Sequence, residues 1–176
     1  MTLTLFPELS PKPKKRRWAG KGESLRIQGE HAVTSESYND SHYTPAWVYS
    51  PLGPFKTDPC SGGKSIAEIN YDIRLGQNGL LLEWFGLVWC NPPFSLKMLF
   101  LKRMKKHGNG FVLLPDSTSA IWWQMAANDC TCFFLFQGRI EFLDKDGGDQ
   151  KGNTKGSTLF AYGQEAADRL KKAVME

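Results

Sequence analysis

Short apolar runs alternate with longer amphipathic segments along most of the chain. The runs lie at residues 54–59, 86–90, 110–115, 130–136, 138–143 and 157–163. Apolar runs of this length are typical of buried strands. The pattern therefore predicts six strands.

The segments between these runs have the composition of helices, at 95–108, 117–129 and 164–176. In the first of them, apolar residues recur at intervals of three and four, basic residues occupy the other face, and Gly108 provides a stop. Strands that alternate with helices indicate an α/β fold. We predict a central, mostly parallel sheet with helices on both faces.

The hydrophobic pattern begins only after the first fifth of the chain. Residues 1–37 are rich in Pro, Lys, Arg, Gly, Ser and Glu, and we interpret them as a basic, flexible N-terminal arm. Residues 38–176 are then one folded domain, and a chain of 176 residues with 41% hydrophobic residues can build its core. The polar, glycine-rich stretch 144–156 predicts an exposed loop.

Charge adds a candidate binding surface to this picture. The net charge is +4, from 22 basic and 18 acidic residues, and much of the excess lies in the arm. Clustered cations bind phosphate without regard to base sequence. The candidates for such contacts are Lys14, Lys15, Arg16 and Arg17. The alternative is a solvated tail that only aids solubility.

Other classes of protein are disfavoured by what the sequence lacks. No apolar run approaches the ~20 residues that span a bilayer, and the N-terminus lacks a signal-peptide pattern, so we predict a cytoplasmic protein without a membrane partner. The four cysteines are not spaced as C-x-x-C pairs and the histidines lie away from them. We therefore expect no metal site.

In parallel α/β sheets, ligands bind at the carboxyl ends of the strands, and two loops at such ends stand out. The first is TDPCSGGKS at 57–65. Its GGKS ending resembles a phosphate-binding P-loop, but that motif requires glycine where this chain has Asp58. An acidic side chain there would repel phosphate, so the loop does not predict a nucleotide triphosphatase.

The second loop is WCNPPFS at 89–95, where Pro92 and Pro93 end the strand and stiffen the chain. NPPF resembles the [D/N]-P-P-[Y/F] signature of enzymes that methylate exocyclic amino nitrogens. That resemblance implies that the Asn91 side-chain oxygen and the Pro92 carbonyl oxygen accept the two N–H groups of the target amine. Held this way, the amine turns its lone pair toward an incoming methyl group. Phe94 offers a ring on which a base flipped out of a duplex can stack, worth ~1–3 kcal/mol.

These motifs resemble those of the phage-type DNA N-6-adenine-methyltransferase (Dam) family, over residues 43–163. The segments that carry the resemblance are YTPAWV at 43–48, TDPCS at 57–61, NGLLLEWFGLVWCNPPFS at 78–95, VLLPDSTSAIWW at 112–123 and GRIEF at 138–142. The resemblance implies a Rossmann-like fold and S-adenosylmethionine as cofactor. It also implies a phage or prophage enzyme that methylates adenine N6 of double-stranded DNA in a bacterial host cell.

Carried over by position, the resemblance implies roles for individual residues. The catalytic residues would be Asn91, Pro92, Pro93 and Phe94. The cofactor-binding residues would be Tyr43, Thr44, Pro45, Asp58, Pro59, Cys60, Gly62 and Asn78. Asn78 stands where the family often has aspartate, so Asp72 is the nearest acidic candidate for the cofactor ribose.

Two further loops are candidates for DNA contact. Ser117 belongs to a polar group after the run 110–115, which either contacts DNA or caps the next helix, and Arg139 is a candidate phosphate contact. We predict that the pair Trp122 and Trp123 is part of the core. Two other functions stay open: methylation of cytosine N4, whose amine has the same geometry, and a DNA-binding protein that retains the fold without catalysis.

Overall fold

The structure, a computed structural model, describes residues 43–64, 66–143, 148 and 153–175. These residues form a six-stranded sheet and four α-helices. The strands are β1 Phe55–Asp58, β2 Ala67–Asn70, β3 Val88–Cys90, β4 Gly110–Pro115, β5 Cys132–Leu135 and β6 Ser157–Tyr162. The helices are α1 Ala46–Tyr49, α2 Lys97–His107, α3 Ile121–Asp129 and α4 Gln164–Met175. The predicted arm and most of the predicted loop 144–156 lie outside the described residues.

The strand order in the sheet is β2-β1-β3-β4-β6-β5. β1 is parallel to β2 and to β3, and β3 is parallel to β4. β6 is antiparallel to both of its neighbours, β4 and β5. The sheet is therefore mostly parallel, and the predicted α/β class is confirmed.

Side chains alternate between the two faces of the sheet, and helices cover both. On β3, Val88 and Cys90 pack with α2 and α3, whereas Trp89 packs on the opposite face with residues of α1 and α4. All residues of β3 and β6 are buried. Strands covered on both faces are expected to be continuously apolar, which explains why these runs were visible in the sequence.

The order in which the strands join the sheet determines where a ligand site can form. From β1 the chain first adds β2 on one side and later places β3 on the other side. This reversal makes the gap between β1 and β3 a topological switch point, where open α/β sheets bind their ligands. The loops after β1 and β3, which contain TDPCSGG and NPPF, therefore lie side by side.

The prediction of a strand at 138–143 was wrong. Gly138 has φ of 79°, which ends the extended chain after β5, and only Leu143 pairs, in an isolated bridge with Tyr43. β2 and α1 were not predicted because both have four residues and β2 is only partly buried. α3 begins at Ile121 rather than 117, since Ala120 is extended. Among the described residues, no helix is long and apolar enough to cross a membrane.

Candidate active site

A cavity of about 190 Å³ opens at the carboxyl ends of β1 and β3. Residues from both predicted groups line it: Tyr43, Thr44, Asp58, Cys60, Gly62, Asn91 and Pro93. Others that line it were not predicted: Ala46, Tyr49, Ser61, Lys64, Ile66, Trp89 and Leu143. The structure thus brings the loop after β1 and the NPPF loop to one cavity.

Asp58 is the acidic group of this cavity. It is the last residue of β1, its side chain is buried, and its carboxylate accepts the backbone N–H of Cys60 at 3.0 Å. Burial raises the pKa of Asp58 to about 7, and the hydrogen bond from Cys60 lowers it only partly. A positive group beside Asp58 would lower this pKa, because an opposite charge favours the ionised carboxylate.

Asn91 begins the NPPF loop directly after β3. Its side-chain nitrogen donates to the hydroxyl oxygen of Thr44 at 3.2 Å, across 47 positions of sequence. Pro92 and Pro93 are buried behind it, whereas Phe94 at the end of the motif is 40% exposed. The motif therefore runs from the cavity, which Asn91 and Pro93 line, to the surface at Phe94.

Comparison with known proteins agrees with this arrangement. A family model described as DNA N-6-adenine-methyltransferase (Dam) matches residues 31–172. The chain belongs to this family. No curated protein and no solved structure matches the chain. The resemblance inferred from the motifs is thus confirmed, and membership in the Dam family implies methylation of adenine N6 in DNA.

Hydrogen bonds from Tyr43 and Arg74, which lie outside the turn after β1, hold that turn in place. Gly62 and Gly63 adopt positive φ, 56° and 88°, which glycine reaches without strain. The Gly62 carbonyl oxygen accepts the Tyr43 hydroxyl at 2.7 Å and also the Arg74 guanidinium. Arg74 in turn forms a salt bridge of 2.6 Å with Asp72, and its hydrogen bond lowers the pKa of that carboxyl. Asp72, the candidate for the ribose, is therefore engaged in holding this turn.

Three residues predicted to bind the cofactor do not line the cavity: Pro45, Pro59 and Asn78. The Asn78 side-chain oxygen accepts the backbone N–H of Leu80 at 3.0 Å. The neighbouring Gly79 lies directly against Pro59, since a Cβ atom there would come within 1.9 Å of the Pro59 carbonyl oxygen. Asn78 and Pro59 thus lie outside the lining of the cavity, and their contact with the cofactor stays a prediction.

The tryptophan pair divides between two environments. Trp123 is buried, and its indole N–H donates to the Thr158 hydroxyl at 3.1 Å, so the prediction of a core residue is correct for it. Trp122 is partly buried and packs against the core, and it also meets Phe94 edge to face, with ring centroids 6.0 Å apart. The Lys97 ammonium lies 3.6 Å from the Phe94 ring centroid. Sequence reasoning missed both neighbours of Phe94.

The residues predicted to contact DNA lie apart from the cavity or outside the described chain. The Ser117 carbonyl oxygen accepts the backbone N–H of Ala120 at 2.8 Å, in the turn after β4. Arg139 is exposed, after β5. Lys14, Lys15, Arg16 and Arg17 lie outside the described residues, so a DNA contact by any of these six residues stays a prediction.

Two thiols lie next to each other at the cavity, of which Cys60 lines it and Cys90 does not. The sulfur atoms of Cys60 and Cys90 are 3.6 Å apart and form no disulfide. Burial raises the pKa of both thiols, which keeps them protonated and poorly nucleophilic at neutral pH. In the part of the chain that the structure describes, no group of three or more His, Cys, Asp or Glu side chains is placed to hold a metal ion.

Proposed function

We propose that this member of the Dam family is an S-adenosylmethionine-dependent enzyme that methylates N6 of adenine in double-stranded DNA. The observation that carries the proposal is the shared cavity, in which Asp58 of the glycine turn and Asn91 of the NPPF motif lie at one switch point. Family membership favours adenine as the target base. We further propose that the protein acts in the cytoplasm of a bacterium that carries the phage or prophage.

A Rossmann-like methyltransferase fold is supported by the topology. The parallel strands β2, β1, β3 and β4 reverse their order at β1, and helices cover both faces. Sheets of this kind bind nucleotide-like ligands in the crevice at the reversal. The glycine turn after β1 adds a backbone that a ligand can approach closely.

The side chains that line the cavity fit the groups of S-adenosylmethionine. Asp58 offers a carboxylate for the amino group of the methionine part, and Lys64 offers an ammonium for its carboxylate. Ile66, Tyr49 and Trp89 give the cavity apolar and aromatic walls. The bound cofactor supplies the methyl group.

The chain's own residues hold the target amine. Its two N–H groups donate to the Asn91 side-chain oxygen and to the Pro92 carbonyl oxygen, which turns the nitrogen lone pair toward the methyl donor. The hydrogen bond to Thr44 fixes the nitrogen end of the Asn91 amide, and so presents the oxygen end to the amine. Methylation makes the amine acidic, and its proton leaves to water without a general base.

The test is direct. The purified chain is incubated with S-adenosylmethionine and plasmid DNA grown in a methylation-deficient host, and the nucleosides are analysed by mass spectrometry. We expect N6-methyladenine, whereas N4-methylcytosine would select the alternative substrate. S-Adenosylhomocysteine should also raise the melting temperature. Neither methylated base, together with DNA binding and no shift in melting temperature, would indicate a DNA-binding protein that has lost catalysis.

Thr44→Val should slow methyl transfer about fivefold to tenfold, because one hydrogen bond that orients Asn91 is lost and such bonds are worth ~1 kcal/mol. Thr44→Ser keeps the hydroxyl and is the matched control, expected within twofold of the wild type. The measurement is the single-turnover rate with saturating cofactor and DNA. Equal rates for the valine and serine variants would show that Thr44 does not orient the amide.

Phe94→Ala should weaken capture of the target base by ~1–3 kcal/mol, the value of one base–aromatic stack. Phe94→Tyr keeps the flat ring and should retain most activity. A target base opposite a mismatch is easier to extrude and should partly rescue the alanine variant. Methylation of matched and mismatched duplexes provides the measurement. Equal losses on both would mean that Phe94 only packs the loop.

A further inference from the structure

The Lys97 side chain lies over the ring of Phe94. Its ammonium lies 3.6 Å from the Phe94 ring centroid and 5.6 Å from that of Trp122. It also donates to the Phe94 carbonyl oxygen at 2.9 Å, which is possible because Phe94 begins the 3₁₀ turn Phe94–Leu96 and Lys97 follows it. A face of the exposed ring is thus covered by a cation.

The surroundings of Lys97 are unfavourable for a positive charge. It is the first residue of α2, where the helix dipole presents its positive end. Burial lowers the pKa of Lys97, and the nearby charge of Lys155 lowers it further. No salt bridge between residues that the structure describes includes Lys97. An anion that approached this end of α2 would relieve the repulsion.

We propose that Lys97 covers the Phe94 ring in the free protein and moves to a DNA phosphate when the target base stacks on that ring. This inference rests on the proposed function and gives Lys97 a role at that site, as a contact to the DNA backbone. Stacking of a base on an aromatic ring is stronger than an exposed cation–π contact, so the base displaces the ammonium. The phosphates that flank a flipped base supply the anion that the ammonium then binds.

The phosphate contact predicts a change in the salt dependence of DNA binding. With a duplex that presents adenine opposite a mismatch, where the base is easier to extrude, Lys97→Ala should reduce the slope of log K against log salt concentration by about one, the value for one lost phosphate contact. Lys97→Arg keeps the charge and should keep the slope. Lys106→Ala, which removes an exposed lysine near the other end of α2, controls for net charge. An unchanged slope in Lys97→Ala, or an equal change in Lys106→Ala, would overturn the phosphate contact.

Because Lys97 covers the Phe94 ring, its removal should strengthen the binding of a ligand that has a base but no phosphate. With the cofactor cavity saturated by S-adenosylhomocysteine, adenosine should bind Lys97→Ala about twofold to fivefold more tightly than the wild type, because the competing cation–π contact is gone. Nuclear magnetic resonance titration measures this affinity. Equal or weaker binding by Lys97→Ala would overturn the inference.

Neither measurement requires turnover. Failure of the proposed function would appear as absence of methylated bases with the wild type, while the salt slopes and the adenosine affinities would still report on Lys97.

Discussion

Asn91→Ala should lower the single-turnover rate of methyl transfer by about 10²–10³-fold, the cost of removing one group that stabilises charge in a transition state. The loss falls on alignment of the amine, so the affinity for S-adenosylhomocysteine should change little. The two effects are measured separately, by quenched single-turnover assays and by isothermal titration calorimetry. This separation distinguishes a defect in the NPPF loop from a collapsed cavity.

Asn91→Asp is the matched control, because it keeps an acceptor oxygen at the same place, while it replaces the amide nitrogen that donates to Thr44 and adds an ionisable carboxyl group. It should retain more activity than the alanine variant. Its optimum should move to higher pH, since a second acid in the cavity beside Asp58 resists ionisation. Wild-type turnover by Asn91→Ala would remove the NPPF loop from the active site.

Local patterns in the sequence predicted the two loops because each pattern depends on residues that are close in the chain. The prolines that follow the buried strand β3 stiffen its exit, and the glycines after β1 have positive φ. The sequence also placed both loops at strand ends of a parallel sheet, where ligands bind. The structure adds that β1 and β3 are adjacent strands.

Contacts between distant segments could not be predicted in this way. Thr44 meets Asn91, and Trp122 of α3 meets Phe94, only because the fold brings together segments that are far apart in the sequence. Family position placed Asn78 at the cofactor, whereas its side chain bonds to Leu80 two residues away. Lys97 differs from these residues because it is only three positions from Phe94. A lysine at the start of a helix is unfavourable beside the positive end of the helix dipole, and this conflict is visible in the sequence.

Asp58→Asn should weaken binding of S-adenosylhomocysteine at pH 7.5 by at least about thirtyfold, since removing one partner of a buried charge pair costs ~2–5 kcal/mol. The same variant should be more stable than the wild type in the free state at pH 8. Asparagine has the same shape and still accepts the Cys60 N–H, but it carries no charge to bury. Calorimetric titration and thermal melts of the free protein measure the two effects.

The pH dependence follows from the direction of the Asp58 shift. Burial raises its pKa to about 7, above the ~3.9 of an exposed aspartate. Between these two pKa values, Asp58 is protonated in the folded state and ionised in the unfolded state. The contribution of Asp58 to the free energy of unfolding is therefore fully present at low pH and is lost as pH rises through 7.

Cofactor affinity should change in the opposite direction, because only the ionised carboxylate attracts the amino group of the ligand. Binding to the wild type should tighten as pH rises from 5.5 to 7, by at most about tenfold per pH unit. Asp58→Asn should lack this rise. If the affinity of the variant rose in parallel with that of the wild type, the titrating group would be another residue, and Asp58 would have only a structural role in the turn after β1.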